Sequence, residues 1–249
     1  PTLMYVSASV ADSVMIRSGD RWPHRLPRKL TRQVPHAYPF WFAQCGALLK
    51  SKGYEVIYVH AIAEGLGIEG TVERFAEIRP DMVVIATSTP TIHTDLLMAR
   101  LAKERVSATT VLVDTHVTVF HKELVGVAFV DAAVRGEFEA AVPEIADALN
   151  RGADLDRLGG VTWKRGTDVI VNPDRPLLKD LDDLPWPDRD LVPADQYIVG
   201  LRTQDPCFMV MASRGCPFRC TFCLWVPVMF NNKVRFRDVE KVVDEIAQL

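Results

Sequence analysis

Cys216, Cys220 and Cys223 lie within the stretch SRGCPFRCTFC, Ser213 to Cys223, spaced C-x3-C-x2-C. Thiolates grouped in this way bind soft or borderline metals such as zinc or iron–sulfur clusters. A structural zinc wants four ligands, usually as two C-x2-C or C-x-x-H pairs. Neither Cys nor His follows Cys223, and Cys207 sits upstream on a segment expected to form a strand that carries it away. A 4Fe–4S cluster held by three cysteines leaves one iron open to an outside ligand, which makes a chemical site rather than a closed structural one. A zinc knuckle and incidental buried thiols are the alternatives. Cys45 and Cys207 are far apart, so the five cysteines do not form a secreted disulfide framework. They fit a reducing, cytoplasmic setting.

The elements that must position these thiols come earlier in the chain. Residues 2–9, 54–61, 81–88, 109–116 and 128–136 read as strands. Several are nearly continuous in Val, Ile and Ala, as expected of parallel strands covered on both faces. Helical stretches lie between them: 40–50, apolar nearly all round; a stripe of Val72, Phe75, Ala76 and Ile78; 91–105; and a stripe of Phe138, Ala141, Val142, Ile145, Ala148 and Leu149. Pro143 requires the last of these to begin close before it. The alternation predicts an α/β, doubly wound, Rossmann-like parallel sheet over 1–150, with ligands at the carboxyl ends of its strands. Those ends are the loops 9–38, 61–70, TSTP (87–90), DTHVT (114–118) and RGEFE (135–139).

Residues 151–205 read as a linker with a small hairpin that turns at Gly166-Thr167-Asp168, followed by the proline- and aspartate-rich LLKDLDDLPWPDRDLVP (177–193). A strand over 207–215 then leads into the cysteines. A helix follows with apolar Val239, Val242, Val243, Ile246 and Leu249 and with Asp238 as N-cap. The expectation is a second domain, 206–249, represented by one strand–loop–helix unit and cut short there. A net charge of −3 argues against a nucleic-acid partner. No run approaches the roughly 20 apolar residues of a transmembrane span.

SRGCPFRCTFC, preceded by a strand and with Phe222 before the last cysteine, resembles the signature of radical S-adenosylmethionine (SAM) enzymes. The resemblance implies that Cys216, Cys220 and Cys223 ligate three irons of a 4Fe–4S cluster, that the fourth iron chelates SAM, and that Phe222 lies near the adenine. It implies the start of a radical SAM (β/α) barrel over 206–249. Arg214 and Arg219 flank the ligands; they either ease reduction of an anionic cluster, or are solvated or pair with acidic neighbours. With the α/β domain ahead of it, and with LDDLPWPDRDL (181–191) and VDAAVRGEFE (130–139), the chain is similar to B12-dependent radical SAM proteins. GDRWPHR (19–25), PFWFAQCGALL (39–49), TSTPT (87–91) and CLWVPVMF (223–230) look like the hopanoid-biosynthesis branch.

Cobalamin presents a flat, amide-fringed ring. Small residues at strand ends let the backbone approach it, and hydroxyls pair with its amides. Ser7, Ser9, Thr87, Ser88, Thr89, Thr115 and Thr118 have that character, with His116, Gly136 and Glu137 beside them. Each Ser or Thr taken alone also reads as a turn or helix cap. The D-x-H-x-x-G motif of cobalamin mutases and methionine synthase is absent, which leaves the lower axial position of cobalt unassigned. His116 and His93 are candidates to approach the corrin, and a lone strand-end His also serves as a hydrogen-bonded structural group. A nicotinamide Rossmann domain would want G-x-G-x-x-G after the first strand; GLGIEG (65–70) follows the second and reads as a loop. SASVADS is a weak match to a flavodoxin-like phosphate loop.

The resemblance implies an enzyme that methylates an unactivated carbon or a phosphinate of a small-molecule substrate, through a 5′-deoxyadenosyl radical and methylcobalamin. An electron donor such as flavodoxin or ferredoxin would serve it. Ring contraction, oxidative cyclisation or hopanoid-type rearrangement is the second reading, and a cobalamin-binding module is the third. No catalytic residue is assigned.

Overall fold

The computed structural model describes residues 2–7, 38–61, 64, 66–193 and 207–249. Five parallel strands form the centre of one sheet: β1 (Thr2–Ser7), β2 (Glu55–His60), β3 (Met82–Ala86), β4 (Thr109–Val113) and β5 (Ala132–Val134). Their order is β2-β1-β3-β4-β5. The order reverses between β1 and β3, so the ligand crevice of such a sheet opens outside the carboxyl ends of these two strands. The doubly wound α/β reading therefore holds.

The helices are α1 (Phe40–Ser51), α2 (Ile68–Ile78), α3 (Ile92–Val106), α4 (Thr115–Gly126) and α5 (Ala141–Asn150). They cover both faces, as β3 makes plain. Met82, Val84 and Ala86 face a core built with Phe42, Leu49, Phe138 and Ile145. Val83 and Ile85 face the opposite core, built with Phe75, Met98, Leu112 and Leu124. Successive strand side chains point to opposite faces, and a strand buried on both must be apolar throughout. Pro143 occupies the first turn of α5, where its missing N–H costs nothing.

Two segments differ from the expectation. THVTVFHKELVG (115–126), of which the beginning reads as a loop, is helix α4 starting directly after β4. Its Val and Thr residues lower helix propensity, and tertiary packing of Val117, Leu124 and Val125 overrides it. In GLGIEG, Ile68, Glu69 and Gly70 already belong to α2.

The small hairpin is β6 (Val161–Arg165) and β7 (Asp168–Val171). It pairs antiparallel with β5 and extends the same sheet. Gly166, at φ +59°, supplies the left-handed turn residue. The segment that follows lies on the first domain. Leu181 and Val192 are buried there, and Gly46 of α1 makes room for Leu191, whose Cδ2 lies 2.2 Å from where a Cβ would stand.

The cysteine region contains β8 (Ser213–Gly215), α6 (Trp225–Phe230), β9 (Val234–Phe236) and α7 (Val239–Ala247). The strand expected over 207–215 is limited to its last three residues. It pairs antiparallel with β9 in a separate two-stranded sheet. Asp238 caps α7, accepting from the backbone N–H groups of Glu240 and Lys241.

Candidate functional site

The polar residues at the strand ends are largely bonded to one another. Thr87, 1% exposed, donates its hydroxyl to the Val113 carbonyl at 2.8 Å and accepts from the Val117 N–H at 3.1 Å. It ties β3 to the start of α4, and its hydroxyl is not presented to a cofactor. The Ser88 and Thr91 hydroxyls stand 2.8 Å apart, and Thr91 donates to Asp95 Oδ2 at 2.7 Å. Burial pushes the Asp95 carboxyl well above its ordinary range. Thr89 is exposed and its hydroxyl lies 3.0 Å from His116 Nδ1. The His116 ring stacks near Phe120, with centroids 4.8 Å apart, and burial lowers its pKa. The neutral imidazole is favoured. His93 stands exposed on α3. Ser7 ends β1, next to β3 at the reversal of strand order. Ser9, GDRWPHR and the remainder of the first strand-end loop through residue 37 lie outside the described residues.

Asp114 has φ +82° and ψ −164°, a conformation that glycine adopts far more readily. Its own carboxylate accepts the Thr115 N–H at 2.6 Å, which holds the turn so that α4 begins at once. Thr115 is half-buried beside it. Thr118 donates to the Asp114 carbonyl at 2.7 Å and accepts the Gly136 N–H at 3.0 Å. Gly136, at φ +72°, has only Met229 O, at 4.0 Å, near the position of a Cβ. The β5 end, α4, α6 and the segment 174–178 border an open hollow of about 310 Å³, whose lining includes Thr118, His121, Arg135, Gly136, Met229 and Asn231.

Glu137 departs from the cofactor-contact expectation. It accepts from Arg214 Nη1 at 3.0 Å, from Arg235 at 2.8 and 2.7 Å, and from the Leu178 N–H at 3.2 Å. Burial pushes its carboxyl up, and the hydrogen bond from Arg235 with the charges of Arg214 and Arg235 outweighs that and holds it below the ordinary range. Arg214, 3% exposed, also meets Glu139 at 2.7 Å and Gln44 Oε1 at 2.6 Å, and lies 4.4 Å over the Trp41 ring. Of the two readings of Arg214, the acidic pairing is the one realised. Gln44, Glu139 and Arg235 escape sequence reasoning. A buried arginine needs partners, and RGEFE is the signal that names two of them.

The three cysteines follow Arg214 directly. Cys216 and Cys223 are half-buried and Cys220 is exposed. Phe218 and Phe222 are exposed too, the latter by 84%. A hollow of about 450 Å³ is lined by Phe218, Arg219, Cys220, Thr221, Cys223 and Asn232. Among the described residues no group of three or more His, Cys, Asp or Glu is set to hold a single metal ion. The donor chemistry fits a thiolate-held iron–sulfur cluster: two of the three thiols border one open hollow, with a cation beside them. At the strand ends Thr89 is exposed, Thr115 is half-buried and Gly136 makes a positive-φ turn, a surface of small and hydroxyl-bearing residues that a flat, amide-fringed cobalamin would fit.

Residues 34–146 match the B12 binding domain family. The chain is 32% identical over 215 residues to an uncharacterized methyltransferase of Pyrococcus horikoshii, covering 85% of this chain and 45% of that protein. It is 33% identical over 222 residues to the anaerobic magnesium-protoporphyrin IX monomethyl ester cyclase of Rubrivivax gelatinosus, covering 85% and 39%. The hopanoid C-3 methylase of Methylococcus capsulatus is 29% identical over 177 residues, covering 69% and 33%. Among solved structures, the cobalamin-dependent SAM radical enzyme OxsB superposes with a TM-score of 0.69 at 14% identity over 99% of this chain and 31% of its own. The radical SAM methyltransferase TsrM of Kitasatospora setae superposes with 0.65 at 16% over 100% and 45%. These two support the fold. The chain spans less than half the length of each of these proteins. Among the described residues no helix is long and apolar enough to cross a membrane.

Proposed function

We propose that this chain, whose residues 34–146 match the B12 binding domain family, belongs to a cobalamin-dependent radical SAM enzyme that transfers a methyl group to an unactivated carbon or phosphinate centre of a small molecule. One observation carries the reading. The cysteine unit is docked on the carboxyl edge of the B12-matching sheet, through Arg214 on Glu137 and Met229 against Thr118 and Gly136. Cys216, Cys220 and Cys223 would hold a 4Fe–4S cluster, and Phe222 would lie against the adenine of SAM. Ser7, Ser9, Ser88, Thr89, Thr115, His116 and Gly136 would meet cobalamin. The three groups together supply SAM cleavage and methyl transfer. The residues of the chain orient them: Thr87 and Thr118 fix the loops, and the buried arginines hold the cysteine loop to the edge. An electron donor such as flavodoxin or ferredoxin would reach the exposed cysteine loop. The likeness to the Rubrivivax cyclase supports cyclisation as the second reading.

The test is anaerobic reconstitution with iron, sulfide and hydroxocobalamin, followed by desalting and metal analysis. About four irons and one cobalt per chain are expected. Substituting all three cysteines by serine is expected to remove the iron and leave the cobalt. A chain that retains neither overturns the reading.

A further inference from the structure

Four side chains form a closed, charge-balanced cluster between the sheet and the cysteine hairpin. Arg214, Glu137, Glu139 and Arg235 have side chains 2%, 7%, 2% and 11% exposed. Two guanidinium groups face two carboxylates, so the cluster is neutral. The four members come from three places: β8 supplies Arg214, β9 supplies Arg235, and the turn after β5 supplies both glutamates. Helix α1 completes it with Gln44 and Trp41. Arg214 cannot shift along β8 without leaving Glu139 or Gln44 unpaired in a dry site, which is costly. Only Gly215 separates it from Cys216. Gly215 is itself held: it has φ +94°, and a Cβ there would stand 1.8 Å from the Lys233 carbonyl oxygen.

We propose that Arg214 is a positioning residue that fixes the register of the cysteine loop against the carboxyl edge of the sheet. It acts through Glu137 and Glu139, with its guanidinium buried and held by protein acceptors. The proposal deepens the functional reading and rests on it for its purpose, since two cofactors on separate units react only at a set separation. The lock itself is a property of the chain alone. Lysine keeps the charge but cannot serve three acceptors in a fixed fork.

The test is hydrogen–deuterium exchange on the full chain without added cofactor, for wild type, Arg214→Met, Arg214→Lys and Glu139→Gln. Arg135→Met serves as control. Arg135 is also largely buried and lies on the same turn, but it bonds Thr162, Asn172 and Asp174 on the hairpin side. Exchange in 213–224 is expected to rise about a hundredfold in Arg214→Met, with β3 and β4 unchanged. Arg214→Lys and Glu139→Gln are expected to give a rise of about tenfold, and they report even where the methionine variant does not fold. Arg135→Met is expected to leave 213–224 within about threefold of wild type. Unchanged exchange at the hairpin in the Arg214 variants, or a uniform rise across the chain, overturns the proposal. Because no cofactor enters, a failure of reconstitution would fall on the functional reading and leave this result standing.

Discussion

At the ends of β3 and β4, Thr87 is 1% exposed and its hydroxyl is bonded on both sides; in the cysteine loop, Phe222 is 84% exposed. The first region is assembled from its own residues. Asp114 accepts from Thr115, Thr118 spans Asp114 and Gly136, and Thr91 binds Asp95. The second has its anchor, Arg214, deep in protein, with Cys220 and the Phe218 and Phe222 rings at the surface and the other two thiols half-buried. A surface that binds a large preformed ligand gains from loops set in advance, because ordering then costs little on binding. A loop that wraps a cluster takes its final arrangement with the cluster, since metal binding and local folding are linked. The difference is one between a finished site and an anchored but open one.

That contrast can be broken by substitution. The largest loss is expected from Phe138→Ala, in the turn that carries both glutamates. Phe138 is 1% exposed and packs on Phe42 with centroids 5.1 Å apart. The cavity should cost about 3–5 kcal/mol in chemical denaturation; a much smaller loss would show that the strand ends are not the rigid partner.

Gly215→Ala should cost about 3 kcal/mol, from the positive φ and the Lys233 carbonyl together. The loss should stay within β8 and β9, so peptide-resolved exchange must rise there and nowhere in the parallel sheet. Thr87→Val is expected to cost about 2 kcal/mol by stranding the buried Val117 N–H, while the Val113 carbonyl keeps the backbone N–H of residue 87. Urea midpoints check it, and a neutral result would reassign Thr87 as a residue free to meet cofactor.

Asp95 offers a pH test. Its folded pKa lies well above the usual carboxylate range, because burial disfavours the charged form. Stability tied to it is present below that range and is lost as pH rises through the folded pKa. Asp95→Asn does not titrate, so its Tm should exceed that of wild type by roughly 2–4 °C near neutral pH and by less at pH 4. A pH-independent difference would deny the burial argument. The smallest effect is expected at Phe222→Ala, within about 0.5 kcal/mol, as its ring touches solvent. A large destabilisation would mean the ring is packed and the loop is not open.

The parallel strands were legible because double burial leaves a nearly unbroken apolar run, as in MVVIA. The N-cap Asp238 and the placement of Pro143 followed from local chemistry alone. Helix α4 was obscured by its β-branched residues, and β9 by its shortness. For the site, residue types at strand ends identified the right loops but not the direction of each side chain. Thr87 and Glu137 have the composition of ligand contacts and serve as internal ties. Only pairing across the chain, Gln44 with Arg214 or Glu137 with Arg235, decides that, and one-dimensional spacing does not contain it.

The Gln44–Arg214 hydrogen bond joins residues 170 apart in sequence. During synthesis at about 5–20 residues per second, Arg214 leaves the ribosome roughly ten to thirty seconds after Gln44. The parallel sheet has that interval to form before its last partner arrives. The cysteines emerge immediately afterwards, onto a surface already built to seat them. Iron delivery would then meet a moored loop and not a loose nascent thread, which makes the order of translation itself a guard against thiols pairing in the wrong place.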